Sequence, residues 1–398
     1  MNRRSFCFSV AAVAGAAQLR AFAERPLITA QEIARIDRER ILRAANAYIT
    51  QPPITITASS SPRSHGGRHD YFSEGDYWWP NPKNPTGPYI RRDGYSDPAN
   101  FNDHREALIR LSLQVPALTA AAMITGDRRY ARHAALHLRA WFLDPATRMN
   151  PSLQYAQAIW GVTPGRGTGI IDTLHLIEVS RAARHLGNQD VFTSAEFAGI
   201  RDWFVQYLDW MRTSKNGMEE EAAKNNHGTC WVAQAAAFAA FTGDEEALAL
   251  CRDRFRNNIM PDQLASNGSF PLELKRTKPY SYSLFDLDVL AIVCQIASEP
   301  GDSPDNLWQF TLPNGNRYKK AVDFMFPYIQ DKSKWPYPPD VEYFDDLPNR
   351  QPSLLFAGIA YRVPQYIALW RTLPPDPKTA EIIRNFPVRQ PLLWVTPV

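Results

Sequence analysis

A short polar stretch, KNNHG at residues 224–228, stands immediately before an apolar run at residues 229–241 that predicts a helix. Asn225 or Asn226 can cap that helix, because a side-chain oxygen at this position accepts a hydrogen bond from a free amide of the first turn. Two consecutive asparagines followed by His227 exceed what a cap requires. An isolated histidine is usually structural, but this context favours a functional role for His227.

A second stretch, FPLELKRTKPYSYS, places cations among tyrosines. Lys275, Arg276 and Lys278 are followed by Tyr280 and Tyr282. A basic run is commonly a solvated face. Here the cations can instead bind a carboxylate while a phenol takes part in proton transfer.

A third stretch, NPSLQYAQAIWGVTPGRGTGIID, contains Tyr155, Gln157, Trp160 and Arg166. Its glycines lack the strand-to-helix setting of a dinucleotide or phosphate loop, so nucleotide binding is excluded. Two interpretations stay open for these residues, which are sugar stacking with hydrogen bonding, and core packing at a hairpin turn.

The elements that must position these residues are predicted to be helices, because strand patterning is scarce. Helices are predicted at residues 31–48, 170–186, 193–212, 284–297 and 317–329, with shorter pieces after residue 354. Three junctions between helices share one design. An apolar helix is predicted to end at Gly126, Gly187 or Gly243 in the left-handed conformation, and a short polar residue is predicted to cap the next helix. Antiparallel helical hairpins of this kind fit an all-α toroid, with an irregular bundle or solenoid as the alternative.

Residues 51–102 form a long stretch rich in Pro, Gly, Ser and aromatic residues. A loop of this length in a compact protein is usually functional or disordered. Its closely spaced aromatics, which include Tyr71, Tyr77 and Trp78, argue against disorder. With no dividing linker in sight, residues 24–398 are predicted to be one domain that carries this loop at its active site.

The first 23 residues, MNRRSFCFSVAAVAGAAQLRAFA, have the charged start, small apolar run and A-x-A end of an export signal. The paired arginines resemble a twin-arginine signal, and an ordinary secretory signal is the alternative. We therefore expect a periplasmic or secreted protein without a membrane anchor once the signal is removed. No other segment reaches the roughly 18 consecutive apolar residues of a membrane span.

Three arginines of this signal account for the whole formal net charge of +3, so the remaining chain is near neutral. A general basic field for nucleic acid is therefore absent, and an acidic ligand requires a local cluster of cations. Cys230, Cys251 and Cys294 lack metal-ligand spacing and are interpreted as core thiols. His133 and His137 lie one helical turn apart without an HExxH pattern, so we interpret them as packing residues and predict no metal or cofactor.

The combination of YFSEGDYWWPNP, NPSLQYAQAIWG, GRGTGIID, NNHGT and ELKRTKPYSYS resembles the alginate-lyase domain of polysaccharide lyase family thirty-eight and, more distantly, family five. The resemblance runs over most of residues 24–398. It implies an incomplete (α/α) toroid barrel of about six to seven helical hairpins. It also implies metal-independent β-elimination on alginate or glucuronan. An acidic polysaccharide is then the expected partner, and the sequence gives no oligomeric state.

The resemblance also implies roles for individual residues. The family's Asn–His pair corresponds to Asn226 and His227, its arginine to Arg276, and its tyrosine to Tyr282, with Tyr280 as a competing position. Neighbouring residues are then expected to bind substrate: Tyr71, Tyr77, Trp78, Tyr155, Gln157, Trp160, Arg166, Asn225, Lys275 and Tyr280.

Elimination from a 4-linked uronate requires neutralisation of the carboxylate, removal of the proton on carbon 5 and protonation of the leaving oxygen on carbon 4. Asn226 and Arg276 are expected to neutralise the carboxylate, and Tyr282 to protonate the leaving oxygen. The base is Tyr282 itself when the proton and the leaving oxygen lie on one face of the sugar, or His227 when they lie on opposite faces. Two other functions are considered. A toroidal glycoside hydrolase needs two acidic residues, for which the candidates are Asp70, Glu74, Asp76, Asp172, Glu273, Asp286 and Asp288. A non-catalytic glycan-binding protein would use the loop at residues 51–102, called the aromatic loop below, as a platform for sugar rings.

Overall fold

A computed structural model describes residues 26–397 of the chain. The predicted export signal, residues 1–23, lies outside the described residues. The predicted all-α class is confirmed, and the architecture is an incomplete (α/α) toroid. Its helices are α1 (Ala30–Tyr48), α2 (Asp103–Thr125), α3 (Arg128–Phe142), α4 (Leu176–Leu186), α5 (Ser194–Thr213), α6 (Lys215–Glu221), α7 (Asn226–Thr242), α8 (Glu245–Arg254), α9 (Met260–Gln263), α10 (Pro271–Leu274), α11 (Pro279–Ala297), α12 (Tyr318–Gln330), α13 (Pro352–Ala360), α14 (Pro364–Thr372), α15 (Ala380–Arg384) and α16 (Pro391–Val395).

Helix ends follow the predicted chemistry at two of the three glycine junctions. Gly126 and Gly243 end α2 and α7 in the left-handed conformation, with φ of 70° and 80°. Asp127 and Asp244 then cap α3 and α8 through their side chains. Two-residue connections of this kind force consecutive helices to run antiparallel.

The prediction for Gly187 was wrong, because its φ is −55°, in the right-handed region. The left-handed residue of this turn is Asp190. A Cβ on Gly187 would lie 2.6 Å from the ring of Phe197, so close helix packing explains the glycine. The next helix is nevertheless capped as predicted, by Thr193 in a capping box with Glu196.

Helices α7 and α11 lie against each other at the centre of the molecule, and α4, α5 and α8 pack against α7. Nearly every residue of α7 and α11 is buried. Two described helices, α2 and α11, have the length and hydropathy of membrane spans, but 72% and 89% of their apolar windows are buried inside the protein. They are therefore core helices. Cys230, Cys251 and Cys294 are buried and unpaired, which confirms that they are core thiols.

Two predicted helix starts were wrong. The stretch before α4 forms a 3₁₀ helix over Gly167–Thr173, and α11 begins at Pro279, five residues before its predicted start. Proline fits the first helical turn because its missing N–H has no partner there. Tyr280 and Tyr282 therefore lie on a helix, two positions apart, and point in different directions.

The long loop at residues 51–102 is held in place by four short strands. Strand β1 (Phe72–Glu74) pairs in parallel with β4 (Tyr155–Ala158), and β2 (Trp78–Trp79) pairs antiparallel with β3 (Ile90–Arg91). The first pairing joins two of the stretches that the sequence singled out, the aromatic loop and NPSLQYAQAIWG. Both are thereby held beside the amino-terminal ends of α7 and α11.

The carboxy-terminal segment is tied to α4 through one buried carboxylate. Glu178 accepts hydrogen bonds from the backbone amides of Arg389 and Gln390 and from the indole of Trp394, at 2.8–3.0 Å. These bonds fix α16 against α4. They also hold the preceding helix α15, which carries residues into the cleft described below.

Candidate active site

A cleft of about 280 Å³ opens where the loop, α7, α11 and α15 meet. Most of the predicted site residues line it together, although they come from widely separated parts of the chain. These are Tyr77, Trp78, Gln157, Arg166, Asn225, Asn226, His227, Arg276 and Tyr282.

The amino-terminal end of α7 presents its two asparagines to the cleft. Asn225 occupies the cap position, but its side chain makes no capping hydrogen bond. The backbone amide of Asn226 instead donates to Glu273, at 3.0 Å. Position 228 has no room for a side chain, because a Cβ on Gly228 would lie 2.0 Å from the carbonyl oxygen of Ala223. A remote carboxylate thus caps the helix, and the Asn225 side chain is not used for capping.

The His227 ring is oriented by a buried carboxylate. Its Nδ1 lies 2.6 Å from Glu220 Oε1, and the side chains are 21% and 3% exposed respectively. A carboxylate only accepts hydrogen bonds, so Nδ1 carries the proton and a neutral ring keeps the Nε2 lone pair. The arrangement makes His227 a competent proton acceptor.

Arg276 is held on two sides. Its Nε and a terminal nitrogen donate to the carboxylate of Asp93 at 3.1 and 2.9 Å, and its guanidinium lies 4.3 Å from the ring centroid of Tyr282. Burial opposes ionisation of Asp93, but the arginine outweighs it and lowers the pKa of Asp93 to about 2. This pairing fixes a cation beside the phenol.

The Tyr282 hydroxyl donates to the Tyr77 hydroxyl at 2.9 Å, and Tyr77 donates to Glu381 at 3.3 Å. Burial raises the pKa of Tyr282 well above its usual value, whereas Arg276 acts in the opposite direction. Burial and Glu381 likewise raise the pKa of Tyr77. Both phenols are therefore protonated near neutral pH and able to donate.

The floor of the cleft is a network of paired charges. Arg105 binds Asp76 and, at 3.2 Å, Asp172, and Arg384 binds Asp76 at 2.5 Å. Burial opposes ionisation of Asp76, but Arg105 and Arg384 lower its pKa. Gln157 donates to Asp172 at 3.1 Å. Each acidic side chain among the described cleft residues is thus already paired with an arginine.

Gln157 adopts a left-handed backbone with φ of 48°, a strained conformation for a residue other than glycine. Its carbonyl and side-chain oxygens accept from Arg166 at 3.1 and 2.8 Å. The Arg166 guanidinium in turn lies 5.8 Å from the Trp78 ring. Burial and the nearby Arg91 lower the pKa of Arg166 below its usual value. A second cation with an adjacent aromatic face is therefore fixed in the cleft, suited to a sugar carboxylate.

Five residues predicted to bind substrate lie outside the cleft lining. Tyr280 is completely buried and donates to the carbonyl of Tyr328, at 3.1 Å. Tyr71 is also buried and donates to Asp172, so it supports the floor. Trp160 is 48% exposed, with the guanidinium of Arg63 at 5.8 Å from its ring. The other two residues are Tyr155 in β4 and the exposed Lys275.

Sequence reasoning missed the residues that hold the site together. Glu220 lies in a run of three glutamates, and Glu381 and Arg384 lie in the short helix α15, none of them within a distinctive motif. Asp93 follows a strand in the aromatic loop. Their proximity to the site depends on contacts between distant parts of the chain, which residue spacing alone does not indicate.

The two histidines of α3 lie away from the cleft. His137 Nε2 lies 3.3 Å from His133 Nε2, and burial lowers the pKa of His137 to about 4. They pack on one helix face, as predicted. Within residues 26–397, no group of three or more His, Cys, Asp and Glu side chains is arranged to hold a metal ion.

Comparisons with known proteins show which family and fold the chain resembles. A family model described as alginate lyase matches residues 55–335. An alginate lyase from Bacteroides ovatus is 31% identical, with a TM-score of 0.78 over 96% of this chain and 97% of that chain. Alginate lyase A1-III from Sphingomonas species A1 is 13% identical, with a TM-score of 0.53 over 95% of this chain and 99% of that chain, and therefore supports the fold alone. No curated protein sequence matches this chain.

Proposed function

The chain belongs to the alginate lyase family and is a polysaccharide lyase, and from this premise we propose that it cleaves a 4-linked uronic-acid polymer, alginate or glucuronan, by β-elimination. One observation carries the proposal. Two amides, an oriented imidazole, a fixed guanidinium and a protonated phenol, on Asn225, Asn226, His227, Arg276 and Tyr282, line a single cleft.

Carboxylate neutralisation is the most demanding requirement, because the proton on carbon 5 is too weakly acidic for an unaided side chain. The amide of Asn226 and the guanidinium of Arg276 would donate hydrogen bonds to the carboxylate as negative charge develops on it. Both groups are fixed before substrate binds, Asn226 by the bond to Glu273 and Arg276 by Asp93. Little reorganisation is then required during the reaction.

Protonation of the leaving oxygen on carbon 4 is assigned to Tyr282. Its hydroxyl is protonated because burial raises its pKa. The neighbouring Arg276 cation would stabilise the phenolate left behind. As the carbon–oxygen bond breaks, the phenol proton goes to the sugar oxygen and a double bond forms between carbons 4 and 5.

The base depends on the sugar. In guluronate the proton and the leaving oxygen lie on opposite faces of the ring, and the free Nε2 of His227 would take the proton. In mannuronate and glucuronate they lie on the same face, so the phenolate of Tyr282 would have to take the proton before returning it to the leaving oxygen. Glu220 supports the first route because it keeps the Nε2 lone pair available.

A hydrolase is disfavoured by the state of the cleft carboxylates. Hydrolysis requires a protonated acid and a second carboxylate at a defined separation. Of the candidates named from the sequence, Asp76 and Asp172 line the cleft, and both bind Arg105. With its pKa lowered, Asp76 is poorly suited to donate a proton. A purely glycan-binding role would leave the oriented His227 without a purpose.

Cleavage in water enriched in heavy oxygen distinguishes these functions. Elimination incorporates no oxygen from water, so mass spectrometry of the products should show unlabelled, unsaturated ends. Incorporation of one heavy oxygen per cleavage would identify a hydrolase. Intact polymer that nevertheless binds the protein would identify a glycan-binding protein.

We also propose that the chain is exported, on the basis of the signal-like residues 1–23. Expression of the full chain in a bacterium should yield a processed protein outside the cytoplasm, with an amino terminus near Glu24. Replacement of Arg3 and Arg4 by lysine should block export if the twin-arginine route is used. An unprocessed cytoplasmic protein would contradict the proposal.

A further inference from the structure

A chain of hydrogen bonds leads from Tyr282 out of the cleft to α15. The Tyr282 hydroxyl lies 2.9 Å from that of Tyr77, which lies 3.3 Å from Glu381 Oε1. A hydroxyl has one proton to donate, and a carboxylate only accepts. Since the Tyr77 proton is directed to Glu381, the Tyr77 oxygen is left as an acceptor. Tyr282 must then be the donor of the phenol pair.

Glu381 is held ionised for this role. Its Oε1 lies 3.2 Å from Lys278, and its Oε2 lies 2.7 Å from Arg384. Burial opposes ionisation, but Arg384 and Lys278 outweigh it and lower the pKa of Glu381. The side chain is buried, and α15 lies beyond residues 55–335, the part of the chain that the family model matches.

We propose that Glu381 is a positioning residue that acts through Tyr77 to keep the Tyr282 hydroxyl a proton donor, as its role of acid beside the base His227 requires. The inference rests on the proposed function. When substrate enters, the leaving oxygen replaces the Tyr77 oxygen as acceptor of the Tyr282 proton. Glu381 itself neither gains nor loses a proton in this step.

Other charged or titratable groups lie around the phenol pair, and each must be considered in a test. They come from several elements, namely Arg276 and Lys278 before α11, Asp76 and Asp93 in the aromatic loop, Glu342 and Tyr343 after α12, and Arg384 on α15. Glu342 provides a matched control, because it also pairs with Lys278, at 3.3 Å. The hydrogen bond of Tyr77 goes to Glu381.

The variant Glu381→Gln removes the obligatory acceptor. Its amide can donate to the Tyr77 oxygen, so Tyr77 can direct its own proton to Tyr282 and stabilise the phenolate. The alkaline fall in kcat should then begin about one pH unit lower than in the wild type. Glu342→Gln should keep the wild-type profile. Thermal unfolding at each pH would show that the variants remain folded.

The decisive comparison repeats Glu381→Gln in a Tyr77→Phe background. If Glu381 acts through Tyr77, most of the shift disappears in the double variant, and only the smaller direct effect of the Glu381 charge on the pKa of Tyr282 remains. A shift of undiminished size there would overturn the inference, as would an unchanged profile in Glu381→Gln or an equal shift in Glu342→Gln.

Absence of unsaturated product from the wild type would contradict the proposed function instead. The inference is then tested by ultraviolet titration of tyrosinate. Subtracting the corresponding Tyr282→Phe curve isolates the ionisation of Tyr282, which should begin at lower pH in the Glu381→Gln variant than in the wild type. Coincident curves would overturn the inference.

Discussion

The guanidinium of Arg276 lies 4.3 Å from the centroid of the Tyr282 ring. Because Asp93 binds the other side of Arg276, the cation stays over the phenol rather than turning towards solvent. A cation in this position attracts the ring face, and more strongly the phenolate that forms when the proton leaves. The same guanidinium lines the cleft, where we propose that it also binds the substrate carboxylate. In the proposed mechanism, one arginine would thus serve both the carboxylate and the phenolate.

Replacing Tyr282 by Phe should reduce kcat by at least about a thousandfold, because the leaving oxygen loses its proton donor. Polymer binding, measured by isothermal titration, should change little, since the ring and its contact with Arg276 remain. Tyr280→Phe is the matched control, because Tyr280 is buried and bonded to the carbonyl of Tyr328. Equal losses in the two variants would contradict the assignment of the acid.

Glu220→Gln should lower kcat by about ten- to a hundredfold without a comparable change in KM, because a group that orients a catalytic ring acts mainly in the transition state. Glutamine is less able to hold the Nδ1 proton of His227. The neighbouring Glu219 is exposed, and Glu219→Gln should behave as the wild type. Steady-state kinetics on a defined polymer compares the two variants. If Glu220→Gln proves fully active, the orienting role is wrong.

Gly228→Ala should reduce both stability and activity. The added Cβ would lie 2.0 Å from the carbonyl oxygen of Ala223, so the start of α7 must move, at a cost of about 1 to 3 kcal/mol. Asn226 and His227 would move with it, and kcat should fall at least about tenfold.

Gly126→Ala is the control for that variant. Its φ is 70°, and no atom lies within 4 Å of the added Cβ, so it should lose about 1 to 2 kcal/mol from backbone strain alone. Its activity per folded molecule should be unchanged. Loss of kcat in Gly126→Ala to the same extent would show that general destabilisation accounts for the effect of Gly228→Ala.

Asp288 should make folding stability depend on pH. Its carboxylate accepts from the backbone amide of Ser353 at 3.1 Å, yet burial raises the pKa of Asp288 to about 7. A raised pKa means that the folded state retains the proton up to a higher pH than the unfolded state does. The contribution of Asp288 to stability is therefore complete at acidic pH, below its unfolded pKa, and is lost as pH rises through about 7.

The Asp288→Asn variant should not lose folding stability in this way as pH rises. Relative to the wild type, its free energy of unfolding should improve by more than about 1 kcal/mol between roughly pH 5 and pH 8. Urea unfolding at the two pH values measures the difference, with exposed Asp302→Asn as the control. A difference between variant and wild type that does not change with pH would contradict the assignment.

Local chemistry made much of the fold predictable. The hairpins follow from capping residues and left-handed glycines, as at Gly126 and Gly243, which are read from neighbouring positions in the chain. The start of α11 could also have been found from Pro279, since proline is favoured in a first helical turn. The reason for the glycine at position 187 could not be predicted. It is contact with Phe197, and such packing leaves no local sequence pattern.

The site was predictable only in part for the same reason. NNHG stands out because two asparagines exceed the needs of a cap, but Glu220 and Glu381 have no such signature. Helical geometry implies that Tyr280 and Tyr282 face different ways, although it does not say which one faces the cleft. That depends on how α11 packs against the rest of the toroid. Membership of family thirty-eight rather than family five stays a prediction.

Ultraviolet absorbance of the product shows whether the protein cleaves its polymer by metal-independent elimination. Purified protein, treated with a chelator, would be incubated separately with polymannuronate, polyguluronate, glucuronan and hyaluronan. We expect a steady rise in absorbance from the conjugated double bond on an alginate block or on glucuronan, and no rise with Tyr282→Phe. New reducing ends without that absorbance would contradict it and indicate hydrolysis.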